Sequence, residues 1–317
     1  MKAAISERYG GPEVVSVRDV PRPEPAPGEI LVRVEASTVS RSDCGMLRAH
    51  PFFMRLSSGL FRPKLKILGM DFAGTVAKTG AKVADFRPGD RVFGMSPRRY
   101  GTHAEFLCMP EKGEIAHIPA ELPCDKAVVC EGAWYANSTI RKLAPGQRLL
   151  VYGASGAIGT AAVQLAKARD IQVTAVVATR HVDLARSLGA DRIIDYTTED
   201  FTQIPDRFDI VFDAVGKESY FRCRKLLKPG GAFCSTDLGP GWSNVVLTLW
   251  NTLTGRKRVD IPLPTEGPAF VAEMGALLGE GRFHGVFNRS YPLDAIAEAY
   301  RYVETGQKTG IVVLRLT

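Results

Sequence analysis

Two short stretches hold the residue types and spacings that could do chemistry. The first is "VSRSDCGMLR" (39–48), which places Ser40, Ser42, Asp43 and Cys44 within five positions. Cys44 has three uses open to it: metal ligand, nucleophile or bystander. A nucleophilic thiol needs a neighbouring base or positive surroundings to lower its pKa, and the flanking sequence displays neither. Ser40 and Ser42 are candidate catalytic hydroxyls, donors to an oxyanion that develops on a substrate. The same hydroxyls also suit a turn, and both uses stand. Asp43 reads as an anchor for the loop.

The second stretch is "VYGASGAIGTAAVQLAK" (151–167). A strand runs into Gly153, then Ala154, Ser155, Gly156, Ala157, Ile158 and Gly159, then a helix. The spacing is A-x-G-x-x-G, a variant of the dinucleotide fingerprint. Small residues permit the tight turn, Gly156 lets backbone approach a pyrophosphate, and Gly159 allows close helix–strand packing. The helix start adds unpaired N–H groups and the positive dipole end. Its place between a strand and a helix is the context the motif requires.

The ribose end decides which dinucleotide is bound. An NAD site carries an acid about 20 residues beyond the fingerprint. That count lands on "VVATRHVD" (176–183), where Thr179 and Arg180 stand instead of an acid. A guanidinium grips a 2′-phosphate through paired charge-assisted hydrogen bonds, so the cofactor expected is NADPH. Tyr196, at the end of the following strand, is a further candidate for the same phosphate. Thr179 as a helix cap and Arg180 as a solvated turn residue remain the plain alternatives. Val215 and Gly216 follow the strand "DIVFDAVG" (209–216), where an open α/β sheet brings chain close to the nicotinamide.

These residues need elements to position them. "EILVRVEAST" (29–38) alternates apolar and polar residues, the mark of a half-buried strand. "DFAGTVAKTG" (71–80) and "GDRVFGM" (89–95) read as strand-and-turn pieces, with Gly74 and Gly89 as turn or bulge points. From about residue 124, apolar runs of five or six residues alternate with helical stretches: 148–153, 172–177, 192–196, 209–216 and 231–237 as strands, 157–168 and 182–189 as helices. Continuous apolar strands separated by helices indicate a parallel sheet covered on both faces. Helices near 268–279 and 293–306 and a strand at 311–316 close the chain. The segment 48–64, rich in Phe and Leu, is either a packed loop or an apolar cover over a ligand cleft.

Length and composition narrow the class. A chain of 317 residues implies two domains. Its 45% apolar and 24% charged residues are those of a globular protein. No stretch of about 18 apolar residues is present, so no membrane span is expected, and the start shows no apolar secretory h-region. Six scattered cysteines form no C-x-x-C pair and read as reduced thiols of a cytoplasmic protein. The formal charge of +7 includes the basic run "TGRKRVD" (254–260). No nucleic-acid module accompanies it, and no nucleic-acid partner is expected.

Four motifs in order carry a family resemblance: the opening "MKAAISERYGGPEVVSVRDVPRPEPAPGEILVRVEAS", then "ILGMDFAGTVAKTGAKVADFRPGDRVFG", the A-x-G-x-x-G unit, and the closing "RSYPLDAIAEAYRYVETGQKTGIVVL". The chain resembles the medium-chain dehydrogenase/reductase superfamily over essentially its whole length, and within it the zinc-free, quinone-oxidoreductase-like branch. The resemblance implies an α/β fold: a GroES-like, mostly-β catalytic domain from 1–123 and 268–317, and a Rossmann domain with a doubly wound parallel sheet at 124–267. It also implies an active site in the cleft and a homodimer joined through the Rossmann domain.

Zinc-dependent relatives carry a Cys three residues before the Asp, the His of a G-H-E triplet, and a later Cys. Here the first two positions hold Ser40 and Met70, and Cys130 stands close to the third. A catalytic zinc wants three protein ligands and an open position, so no metal is expected, and Cys44 lies off the ligand position as a bystander. Without a Lewis acid to acidify a hydroxyl, oxidation of a simple alcohol is hard. Reduction of an activated double bond is easier. The function expected is NADPH-dependent, zinc-independent reduction of quinones or α,β-unsaturated carbonyls, small molecules in either case. The alternatives are a zinc-free carbonyl or alcohol dehydrogenase and a non-catalytic NADPH-binding sensor.

Overall fold

The computed structural model describes residues 1–239, 242–254, 258–261, 265 and 267–316. Residues 255–257 of the basic run, and part of the segment 237–265, lie outside the described residues. The chain forms two compact units, Met1–Glu131 with Glu266–Thr317, and Gly132–Thr265.

The first unit is built on a seven-stranded sheet. At its centre is the strand Glu29–Thr38, paired antiparallel with Asp71–Thr79, Ile311–Arg315 and Phe106–Pro110. Alternation marks this strand as half-buried, yet Ile30, Leu31 and Val32 are all fully buried. Strands on both sides and cover on both faces leave little of it in water. Gly74 answers a close approach of backbone, since a Cβ there would lie 2.0 Å from the Arg33 carbonyl oxygen. The pairing register slips beside it, between Val34 and Ala36. Gly89 adopts φ 97°, a turn conformation that favours glycine. The core gathers Phe72, Val34, Leu47 and Tyr300, each large apolar side chain contributing about 1.5–3 kcal/mol by burial.

The helix Arg41–Arg48 begins at Ser40 in a capping box. The Ser40 hydroxyl accepts from the Asp43 N–H at 3.1 Å, and the Asp43 carboxylate accepts from the Ser40 N–H at 2.9 Å. In the segment 48–64, the Tyr9 hydroxyl donates to the Gly59 carbonyl at 2.7 Å and lies 2.8 Å from the Ser58 hydroxyl. That contact pins the segment while Phe52, Leu56, Leu60 and Phe61 stand exposed.

The second unit is a six-stranded, wholly parallel sheet. Its spatial order is Arg192–Asp195, Gln172–Val177, Arg148–Tyr152, Phe208–Asp213, Leu227–Ser235, Val259–Asp260. Numbered along the chain this is 3-2-1-4-5-6, the doubly wound order whose switch point falls between the first and fourth strands. Leu150, Val176, Val211 and Phe233 are completely buried, as continuous apolar strands require. Among the described residues no helix is long and apolar enough to cross a membrane.

Candidate active site

In the second unit, the glycine turn and the loop after Asp213 meet at the switch point. The helix Ala157–Lys167 has Gly156 as its N-cap and no side-chain cap, so its first N–H groups stay available to an anion. A Cβ at Gly159 would lie 2.2 Å from the Gly153 carbonyl oxygen, which is why helix and strand pack so closely. A Cβ at Gly156 would meet nothing nearer than 3.7 Å, leaving open space beside the turn. Ser155, Ala157 and Ile158 are partly exposed around it, whereas Ala154 is buried and offers backbone alone. This cradle fits a dinucleotide pyrophosphate. The nearby loop is fixed by Asp213, a fully buried carboxyl. It accepts from the N–H groups of Val215, Gly216 and Glu218 at 3.2, 2.9 and 2.8 Å.

At the ribose end, Thr179, Arg180 and Tyr196 are all exposed. The Thr179 hydroxyl donates to Asp195 at 2.5 Å and sits 2.8 Å from the Thr197 hydroxyl. Those hydroxyls hold the Asp195 carboxyl below its ordinary range. Reading along the chain finds no acid at the end of Gln172–Val177; the fold brings one from the end of the neighbouring strand.

In the first unit, a set of ionisable groups is buried behind the Ser40–Asp43 turn. Asp43 accepts from the Ser40 N–H and hydroxyl, each at 2.9 Å, and from the Gly69 N–H at 3.0 Å. Asp71 accepts from the Glu131 N–H at 2.8 Å. Burial raises all three carboxyls, Asp43, Asp71 and Glu131, above their ordinary range. For Glu131 the Asp43 charge adds to the rise, while the Ser42 and Ser40 hydroxyls and the Lys308 ammonium oppose it. Burial lowers Lys308 to about 8. His103 sits under the same site as a neutral ring. Its Nε2 lies 2.8 Å from the Thr38 carbonyl oxygen, and burial lowers it to about 4. Cys44 is buried, and burial together with Asp43 pushes its thiol far up, so no thiolate forms.

Two family models match the chain, the first within the first unit and the second running from the second unit back into the first. Residues 26–120 match the family described as Alcohol dehydrogenase GroES-like domain, and residues 188–314 the family described as Zinc-binding dehydrogenase. A 2-methylene-furan-3-one reductase of Solanum lycopersicum is 30% identical, over 99% of this chain and 79% of the relative. The chain belongs to the medium-chain dehydrogenase/reductase superfamily, on its quinone-oxidoreductase-like branch. Another member of the superfamily, the NADPH-dependent alkenal/one oxidoreductase of Arabidopsis thaliana chloroplasts, is 28% identical over 99% of this chain and 79% of its own. The quinone oxidoreductase of Coxiella burnetii superposes with a TM-score of 0.87 at 25% identity, over 100% of this chain and 99% of that one. The superfamily's oxidoreductases use a nicotinamide cofactor, and the cradle described above is of the kind that holds one.

The zinc of other superfamily members finds no matching donors here. The Ser40 hydroxyl is engaged with Asp43, Met70 offers a buried thioether, and burial with the Asp71 charge keeps the Cys130 thiol protonated. Among the described residues no group of three or more His, Cys, Asp and Glu side chains is placed to hold a metal ion. Reading the sequence missed Glu131, Lys308, Asp213 and Asp195. For Ser40 a signal existed: S-x-x-D ahead of an apolar run is close to a capping-box pattern. For the Glu131–Lys308 approach no local signal exists.

Proposed function

We propose that this chain is an NADPH-dependent, zinc-independent reductase of quinones and α,β-unsaturated carbonyls. One observation carries the reading: hydroxyl, thioether and protonated thiol occupy the positions where a Lewis acid would need ligands. The chemistry then has to rest on hydrogen-bond donors, which suits oxygen charge developing on an enone or quinone.

The turn 153–159 and the start of the helix Ala157–Lys167 hold the pyrophosphate. Arg180, Thr179 and Tyr196 surround the 2′-phosphate, and the loop of Val215 and Gly216 backs the nicotinamide. Bound there, the cofactor supplies a hydride. Ser42 donates to the substrate oxygen as negative charge grows on it. Ser40, tied to Asp43, fixes the helix start that presents Ser42. The substrate is a small molecule, and we further propose a homodimer joined through the second unit and working in the cytoplasm.

A second reading has one observation in its favour. Asp195, ionised beside Thr179, is the kind of acid that accepts ribose hydroxyls of NADH and repels a 2′-phosphate. Steady-state kcat/KM with each cofactor separates the two. NADPH is expected to be preferred, and Arg180→Ala to lower kcat/KM for NADPH by about 10–100-fold, the worth of one charged hydrogen bond, with NADH little changed. A wild type that prefers NADH, with Arg180→Ala silent, assigns the ribose to Asp195 and overturns the NADPH reading.

A further inference from the structure

Glu131 is a buried carboxyl with one oxygen left unmatched. It is 6% exposed. Its backbone N–H anchors Asp71, but its Oε2 is buried with no hydrogen-bond partner. A structural carboxyl at that depth collects donors, so an orphaned oxygen points to a partner that comes and goes. The groups facing it arrive from four elements. Ser40, Ser42 and Asp43 come from the start of the helix Arg41–Arg48, and Lys308 from the chain ahead of Ile311–Arg315. Asp71 comes from the strand Asp71–Thr79, and Tyr300 from the helix Ile296–Glu304.

Lys308 is placed, not loose. Its ammonium donates to the Gly310 carbonyl at 2.6 Å. Gly310 holds φ 58°, and a Cβ there would lie 2.0 Å from the Val286 carbonyl oxygen, so the turn that carries Lys308 admits glycine alone. Lys308 is only half-buried, which leaves it a way to exchange protons with water.

We propose that Glu131 is the proton source of the reduction, delivering through the Ser42 hydroxyl to the reduced substrate and refilled by Lys308. The proposal rests on the reductase reading above. Hydride from the reduced nicotinamide forms the new C–H bond at the β-carbon, and the substrate becomes an enolate. The Ser42 O–H bond breaks as its proton goes to the enolate. The Glu131 O–H proton passes to the Ser42 oxygen, the Lys308 ammonium reprotonates the carboxylate by way of a water molecule, and the amine recovers a proton from bulk water. One hydride and one proton enter per turnover; the nicotinamide loses two electrons and the substrate gains them. Lys308, acting through Glu131, is a positioning and relay residue.

The test compares wild type, Glu131→Gln and Lys308→Met as full chains with NADPH. Glu131→Gln should lower kcat for an enone by about 100-fold, within the range for one general acid, with KM for both substrates within about threefold. Reduction of p-benzoquinone should fall less than about fivefold, because water readily protonates the hydroquinone oxygens. Lys308→Met should lose about tenfold on the enone and regain it as buffer acid is added. In wild type the enone kcat should decline as pH rises past neutrality, because the acid form is consumed, and Glu131→Gln should lack that limb. Folding is checked by Tm. A raised folded-state carboxyl pKa costs stability as pH rises above the unfolded value, so Glu131→Gln should melt at or above wild type at pH 8 and show no gain at pH 4. Equal losses on enone and quinone, a change in KM alone, or no change would overturn the proposal. Infrared difference spectra decide the matter without turnover. The wild-type minus Glu131→Gln difference at neutral pH should contain a protonated-carboxyl band, and its absence would overturn the proposal. A wild type that shows this band but reduces neither substrate would overturn the reductase reading instead.

Discussion

Gly159→Ala should abolish measurable cofactor binding and destabilise the second unit, whereas Gly156→Ala should cost affinity alone. The difference lies in what each new Cβ would meet. At Gly159 the neighbours are the Gly153 carbonyl oxygen at 2.2 Å and the Ala154 Cα at 2.7 Å, both backbone. Neither can rotate away, so the helix Ala157–Lys167 must shift off the strand Arg148–Tyr152 and carry its N-terminal N–H groups with it. Overpacking of this kind costs about 1–3 kcal/mol, and losing the aimed N–H groups should weaken the cofactor at least about 100-fold. At Gly156 nothing lies within 3.7 Å, so the fold tolerates a methyl group and any loss of affinity comes from the ligand. Calorimetric titration with NADPH, beside thermal melts of both variants, reads the two effects separately. Full affinity in Gly159→Ala would mean the turn is only a connection between strand and helix.

Asp43→Ala should be the most damaging single change in the first unit. It removes the acceptor for the Ser40 N–H, the Ser40 hydroxyl and the Gly69 N–H, at a side chain that is fully buried. Unmade buried hydrogen bonds cost about 1–3 kcal/mol each and do not add fully. Removing Asp43 also relieves the cost of burying a carboxyl, so about 3 kcal/mol is expected overall. Asp43→Asn keeps one acceptor oxygen and should fall between alanine and wild type. Urea denaturation midpoints at pH 7 measure both. A loss below about 1 kcal/mol for the alanine variant would show that the capping box does not hold the helix start. Activity should fall with stability here, because the same cap presents Ser42.

The parts of this molecule visible in its sequence are those whose cause is local. The runs 148–153, 172–177 and 209–216 are strands because they are continuously apolar, and they occur as Arg148–Tyr152, Gln172–Val177 and Phe208–Asp213. The turn at 153–159 is visible because the glycine spacing itself states the steric demand. The half-buried reading of Glu29–Thr38 falls short because three partner strands arrive from distant parts of the chain. Thr179 and Arg180 are visible as a pair, but Asp195 reaches Thr179 only through parallel pairing of Arg192–Asp195 with Gln172–Val177. Glu131 ends the first segment of the first unit and Lys308 lies near the end of the second, so no spacing rule connects them.

The carbon that receives the hydride separates an enone reductase from a carbonyl reductase. Reduction of an open-chain enone with NADPH deuterated at C4 on the transferable face, followed by proton NMR of the product, reads this directly. Deuterium on the β-carbon of a saturated ketone is the expected result. Deuterium on the carbonyl carbon of an allylic alcohol would make the protein a carbonyl reductase and contradict reduction of the double bond.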